Sequence, residues 1–206
     1  YDLVVGNVPF AADIQSDSKK RYGRELNLHN YFIARSLDAL RPGGVAIIIT
    51  THNTLDSAGS QRELLAAKGN LIAAIRLPKT TFQANANTEV VTDILVLQRP
   101  VDPTAPMTPW RNTRLIETDN GQYRGEINEW IADNPDFVLG RHSMTGTMYA
   151  TEIGKEYTLL PNPGQDLKSA VDSLVNRLPE GITGERGDGP VTPIGESDEG
   201  DGIPSG

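Results

Sequence analysis

Hydrophobic residues in the first hundred positions form short apolar runs separated by amphipathic stretches. Residues 1–6 and 45–50 are apolar runs without alternation, and the second is the pattern of a strand covered on both faces. Residues 71–77 and 90–98 have a similar apolar character. The pattern therefore predicts four strands.

Helical spacing occurs between these strands. Apolar side chains at Leu28, Phe32, Leu37 and Leu40 predict one helix, which ends at the Arg-Pro-Gly-Gly sequence of residues 41–44. The sequence Ser-Gln-Arg-Glu at 60–63 matches a capping box and predicts a second helix that continues to about Gly69. Strands that alternate with helices indicate an α/β fold resembling a doubly wound sheet.

The first predicted strand ends in the sequence Asn7-Val8-Pro9-Phe10. The carboxyl ends of strands in open α/β sheets are where ligands bind. The Asn7 amide oxygen and the Val8 carbonyl are two acceptors in one turn that can accept both hydrogens of an amino group. Phe10 offers a flat face to a ring, and Gly6 permits close approach of the backbone.

This turn suits methylation of the N6 amino group of adenine. The nitrogen lone pair is delocalised into the ring, and two aimed acceptors stabilise the charge that develops as nitrogen becomes tetrahedral. A base in a duplex must be flipped out first, at a cost of roughly a few kcal/mol. Stacking on Phe10 returns about 1–3 kcal/mol of that cost.

Several segments in order resemble the motifs of N6-adenine DNA methyltransferases, which belong to the amino-methyltransferase family with an Asn-Pro-Pro-Phe type of motif. Val8 departs from that motif, but this position contributes a carbonyl, so Val8→Pro is predicted to be tolerated. The chain is most similar to methylase domains of large phage and plasmid proteins, which are often fused to a helicase. The segments that carry the resemblance are 7–10, 29–32, 41–44, 75–78, Phe82 and 87–95, with weaker similarity at 127–130 and 134–140.

The resemblance implies a partial Rossmann-like sheet, S-adenosylmethionine as the methyl donor, and DNA as the substrate. The family's glycine-rich cofactor turn is absent from this chain, and Gly6 is the single residue assigned to the cofactor side. The chain starts inside a strand, so we expect the cofactor half upstream in the same polypeptide, with a fused helicase as a further partner. The isolated chain is expected to be inactive.

Five further residues are candidates for substrate binding. Lys19, Lys20 and Arg21 follow the Asn7–Phe10 turn and could meet phosphates, although a solvated surface loop explains them equally simply. His29 could contact the base or DNA, against capping or packing as the alternative. The resemblance places Phe82 near the base, where it could stack or simply anchor its loop.

Composition and charge divide the chain into unequal parts. The 206 residues carry a net charge of −8, but residues 1–100 hold eleven Lys/Arg and nine Asp/Glu, so the predicted catalytic part is not acidic. The chain has no cysteine, and its three histidines lack metal-ligand spacing, so we predict no metal. No apolar run approaches a membrane span, and the expected location is cytoplasmic.

We predict three regions: a catalytic half-domain at 1–100, a connector and small extension at 101–160, and a linker or disordered acidic Gly/Pro-rich tail at 161–206. Within the extension, residues 128–131 predict a short helix. Asp93 lies in an apolar strand, and Arg76 on a neighbouring strand or a loop backbone is its expected partner. Two alternatives stay open: an enzyme that methylates protein glutamine, and a non-catalytic methyltransferase remnant that acts as a binding module.

Overall fold

The computed structural model describes residues 1–10, 14–15, 22, 26–57, 59–82, 89–102, 104, 110–147, 154 and 156–183. The described chain consists of ten strands and five α-helices, with 3₁₀ turns at 119–121 and 135–137. In chain order these are β1 Leu3–Asn7, β2 Ile14–Gln15, β3 Leu26–Asn27, α1 Leu28–Ala39, β4 Val45–Thr51, α2 Asn53–Asp56, α3 Ser60–Ala66, β5 Asn70–Leu77, β6 Thr92–Gln98, β7 Thr113–Thr118, β8 Tyr123–Asn128, α4 Glu129–Asp133, β9 Arg141–Ser143, β10 Thr158–Leu160 and α5 Leu167–Val175.

A four-stranded mixed sheet with the order β1-β4-β6-β5 forms the centre of the fold. Strands β1 and β4 are parallel and are connected through α1, as in Rossmann-like sheets. The predicted α/β class, with a partial sheet and flanking helices, is confirmed. The sheet is not wholly doubly wound, because β6 lies antiparallel between β4 and β5. No helix separates β5 from β6 among the described residues, and a parallel pair needs such a crossover.

Helix α1 covers one face of this sheet. Its buried residues Ile33, Ala34 and Leu37 belong to the same core cluster as Ala46 and Ile48 of β4. The predicted end of the helix at 41–44 is confirmed. The second predicted helix is α3, but its N-cap position is Gly59 rather than the Ser60 of the predicted capping box.

The described part of the extension packs directly on the sheet through Trp110, Ile127 and Ile131. Trp110 is fully buried and donates its indole N–H to the carbonyl of Gly69, with an N–O distance of 3.1 Å. Strands β7 and β8 form an antiparallel hairpin, and β9 and β10 form a second antiparallel pair. The short helix predicted at 128–131 is confirmed as α4, whose N-cap Asn128 accepts a hydrogen bond from the Trp130 amide. The extension therefore shares the core of the sheet.

Helix α5 lies within the segment 161–206, for which the sequence predicted a linker or tail. Leu174 of this helix is buried in one cluster with Ile75, Leu77 and Leu139. The linker prediction is therefore corrected for 167–175, because apolar residues at helical spacing give this helix a face that covers β5. Residues 184–206 lie outside the described residues. None of the helices in the described ranges is long and apolar enough to cross a membrane.

Candidate active site

The Asn7–Phe10 turn leaves the sheet where two parallel strands end together. Asn7 lies opposite Ile49 of β4, and the Val8 amide donates a hydrogen bond of 3.1 Å to the Ile49 carbonyl. The Val8 side chain is buried in the core, while Asn7 is exposed. The core packing of Val8 thus fixes the position of the turn at the carboxyl edge of the sheet.

The environment of Val8 changes one expectation from the sequence. A proline at this position cannot donate the hydrogen bond to Ile49, and the buried valine side chain would be lost. Losing one hydrogen bond costs about 1 kcal/mol. Val8→Pro is therefore not neutral for stability, contrary to the expectation drawn from the motif.

A cavity of about 730 Å³ opens next to this turn. Phe10 and His29, two of the predicted site residues, line it together, and Phe10 is 38% exposed. Asn7, Val8 and Pro9 are not among its lining residues, so Phe10 is the residue of the turn that contacts the cavity. The remaining wall comes from the end of β4, helix α2, the residue before β6 and the extension. Its lining residues include Thr51, His52, Asn53, Asp56, Val91, Glu126, Met144, Glu156, Tyr157 and Thr158.

Phe82 and Gly6, the other predicted residues that the structure describes, do not line this cavity. Phe82 is half-buried and packs with Ile75 and Leu77, which fits the anchoring role that was its alternative. A Cβ at Gly6 would meet nothing nearer than the Ile48 Cδ1 at 3.7 Å, an ordinary contact. The packing around position 6 therefore does not require a glycine. Residues 19–21 lie outside the described residues.

A buried ionic network adjoins the cavity through Asp56, one of its lining residues. The Arg76 side chain is fully buried and donates two hydrogen bonds to Asp93, at 2.8 and 2.9 Å. Of the two partners expected for Asp93, Arg76 and a loop backbone, the structure shows Arg76. The same guanidinium donates two more bonds to Asp56, at 2.8 and 3.0 Å. Arg76 therefore joins the sheet to the short helix α2, and its single positive charge is shared by the two carboxylates.

His52 and Tyr157 complete the network on the cavity side. The Nδ1 of His52 lies 3.0 Å from the Asp56 carboxylate, and its ring centroid lies 5.2 Å from that of Tyr157. Burial raises the pKa of Asp56, but Arg76 and His52 outweigh burial and lower this pKa to about 2. Burial raises the pKa of Tyr157 far above its usual value, so the phenol stays protonated. Arg76 also lies 5.4 Å from the centre of the Tyr157 ring.

The outer wall of the cavity is rich in carboxylates. Glu89, Glu126 and Glu156 line it, together with Lys79, which forms an ion pair of 2.7 Å with Glu89. Glu126 accepts a hydrogen bond from the Thr113 hydroxyl. Phosphate groups would be repelled from this wall.

Sequence reasoning missed His52, Asp56 and Tyr157. His52 and Asp56 are four residues apart after a predicted strand, the spacing of neighbours on a helix, but α2 has only four residues and no apolar periodicity. Tyr157 lies 81 residues from its partner Arg76, and no local pattern identifies it.

His142 gives this network a measurable pH dependence. Its Nδ1 lies 2.7 Å from the Tyr157 hydroxyl, and burial, assisted by the charge of Arg76, lowers the pKa of His142 from 6.5 to about 4. The unfolded chain therefore binds the proton first as pH falls. We expect the contribution of His142 to the free energy of unfolding to be fully present above pH 6.5. As the pH falls from 6.5 to 4, the free energy of unfolding should decrease by about 3 kcal/mol because of this group.

Urea denaturation at a series of pH values measures this effect. In His142→Asn the titrating group is gone, so the slope of stability against pH in that window should become smaller than in the wild type. Equal slopes in the two proteins would show that His142 does not contribute as argued.

Searches for related proteins gave the following similarities. No protein-family model matches the chain. The protein called defense against restriction protein B, from Escherichia phage P1, is 34% identical over 145 residues, which is 68% of this chain. The chain spans 6% of the length of that relative.

Three solved structures illustrate the similarity of the chain to known folds. The M protein of the type I restriction enzyme EcoKI is 17% identical with a TM-score of 0.43, over 85% of this chain and 47% of that protein. A modification subunit of a putative type I restriction enzyme from Vibrio vulnificus YJ016 is 23% identical with a TM-score of 0.39, over 48% and 22%. A putative class I S-adenosylmethionine-dependent methyltransferase from Listeria monocytogenes is 18% identical with a TM-score of 0.37, over 52% and 34%.

Proposed function

We propose that this chain provides the base-holding half of a DNA adenine-N6 methyltransferase. The observation that carries the proposal is the Asn7–Phe10 turn, which lies at the carboxyl edge of the sheet with Phe10 lining a cavity of about 730 Å³. A cavity of 300–1,000 Å³ is the size that holds small organic ligands. The turn thus joins two amino-group acceptors, an aromatic face and a space of suitable size.

The roles of the turn residues follow from their chemistry. The Asn7 amide oxygen and the Val8 carbonyl accept the two hydrogens of the adenine amino group, while Pro9 limits the backbone freedom between them and Phe10. Phe10 stacks on the flipped base. S-adenosylmethionine supplies an electrophilic methyl group. Because acceptors favour the charge that develops on nitrogen, the turn stabilises the transition state more than the ground state.

The described residues do not form a cofactor site by themselves. Gly6 lies inside β1 with ordinary packing around it, and the chain has no glycine-rich turn after a strand. Strand β1 pairs only with β4 among the described residues, and its side chains Leu3 and Val5 are 51% and 68% exposed. An uncovered apolar edge strand is suited to pairing with a further strand. This supports our proposal that an upstream part of the same polypeptide continues the sheet and holds the cofactor.

The proposed partners are DNA, the upstream half of the same polypeptide and a fused helicase. The phage P1 relative is named for defence against restriction, and methylation of adenine is one way to protect DNA in that setting. The acidic cavity wall does not oppose DNA binding, because a flipped base enters the cavity while its phosphates stay outside. Lys19, Lys20 and Arg21 remain our proposed phosphate contacts.

A methyl-transfer assay tests the proposed function. Labelled S-adenosylmethionine is incubated with unmethylated DNA and with either this chain or the chain extended upstream by a half-domain. We expect transfer only with the extended form, to adenine, and none to DNA already methylated at N6. Binding of the cofactor by the extended form without transfer to DNA would contradict the proposal and favour a protein substrate or a non-catalytic remnant.

A further inference from the structure

His52 lies at the place where the ends of two strands meet. It follows Thr51, the last residue of β4, and comes three positions after Ile49, the partner of Asn7 in β1. Parallel strands open towards the same edge, so Asn7 and His52 leave the sheet on the same side. Phe10 and His52 also line the same cavity. A base that stacks on Phe10 would therefore occupy the same cavity as the imidazole.

The contact with Asp56 determines which nitrogen of His52 carries the proton. The Nδ1 lies 3.0 Å from the carboxylate, which is ionised because its pKa is lowered to about 2 by Arg76 and His52 against the effect of burial. An ionised carboxylate accepts hydrogen bonds only, so neutral His52 has its proton on Nδ1. The lone pair is then on Nε2. No hydrogen bond joins Nε2 to another residue in the part of the chain that the structure describes.

Methylation of an amino group leaves a proton to be removed. The Asn7 amide and the Val8 carbonyl orient hydrogens, but such oxygens are too weakly basic to keep a proton. Asp56 already accepts hydrogen bonds from Arg76 and from the Asn128 amide. The other titratable groups around His52 and its cavity are Arg76 on β5, His142 on β9, Tyr157 before β10, His29 on α1, and Lys79, Glu89, Glu126 and Glu156 on the wall.

Resting on the proposed function, we infer that Nε2 of His52 accepts the proton that the methylated amino nitrogen loses, directly or through one water molecule. The electron pair of the amino nitrogen forms the bond to the methyl carbon, and the carbon–sulfur bond of the sulfonium donor breaks with its electrons on sulfur. The nitrogen–hydrogen bond then breaks, its electrons return to nitrogen, and the proton binds Nε2. Asp56 stabilises the imidazolium until the proton passes to water.

The variant His52→Asn in the extended polypeptide separates this role from a structural one. Its side-chain amide can still donate to Asp56, whereas the basic nitrogen is gone. We expect methylation to slow by about 10²-fold, the usual contribution of a positioned base. The matched control is His142→Asn at neutral pH, since His142 contacts Tyr157 but does not line the cavity, and this variant should keep the wild-type rate.

Long-range proton–nitrogen NMR spectra of the histidine rings give a readout that needs no methyl transfer. The inference requires neutral His52 to carry its proton on Nδ1, and the opposite tautomer would overturn it. An active wild type with an equally active His52→Asn variant would overturn it as well, while leaving the proposed function intact. A wild type without any methyl transfer would instead overturn the proposed function together with this role of His52.

Discussion

Replacing Asn7 by alanine in the extended polypeptide is expected to reduce methyl transfer by about 10²–10³-fold, the usual effect of removing one aimed polar group from a transition-state site. The reason is that the amino group would keep only the Val8 carbonyl as an acceptor. Asn7 is exposed, and its side chain makes no hydrogen bond with another described residue, so the free energy of unfolding should change by less than about 0.5 kcal/mol.

Single-turnover methylation and urea denaturation of the same variant measure the two quantities. Asn162→Ala provides a control, because this residue lies before α5 and bonds to Gln165 away from the cavity. It should leave methyl transfer unchanged. Near-normal transfer by Asn7→Ala would exclude the proposed mechanism.

Phe10→Ala separates stacking from the acceptor role. The lost stacking energy of about 1–3 kcal/mol should appear mainly as weaker capture of the flipped base and less as a slower chemical step. Phe10 is 38% exposed, so a large loss of stability is not expected. A transfer rate at saturating DNA that falls as far as that of Asn7→Ala would contradict this division of roles.

Replacing Arg76 by methionine is expected to cost about 3–5 kcal/mol of stability, the largest structural effect that we predict. The Arg76 and Asp93 side chains are fully buried and that of Asp56 is 6% exposed, so the variant leaves two carboxylates without their cation. Methionine fills a similar volume, and packing loss is therefore small. The cost comes from the uncompensated charges.

The matched control is Arg114→Met. Arg114 pairs with Asp133 at 2.8 Å, but the two side chains are 48% and 58% exposed, and such a pair contributes less than about 1 kcal/mol. Urea denaturation at pH 7 compares both variants with the wild type. The deficit of Arg76→Met should shrink as the pH falls towards 4, because protonation removes the unpaired charges. Similar costs for both substitutions would show that the network is not the support that its geometry indicates.

The sequence by itself determined the elements of the central sheet and the candidate turn. Unbroken apolar runs at 45–50 and 71–77 identified buried strands, because a strand covered on both faces has no solvent-exposed side that would carry polar residues. The Arg-Pro-Gly-Gly sequence marked the end of α1. The chemistry of Asn7 and Phe10 could be inferred because acceptors and an aromatic ring in one turn lie together in any fold. The pairing of Asp93 with Arg76 followed from the cost of burying a lone carboxylate.

Tertiary structure alone decided what surrounds that turn. The antiparallel placement of β6, the addition of Asp56 to the Arg76 pair and the approach of Tyr157 all depend on contacts between residues far apart in sequence. Helix α5 was not predicted from the sequence for the same reason, because its apolar face is buried by contact with β5. Local patterns report which face of an element is apolar, whereas the partner of that face is set by how the whole chain packs.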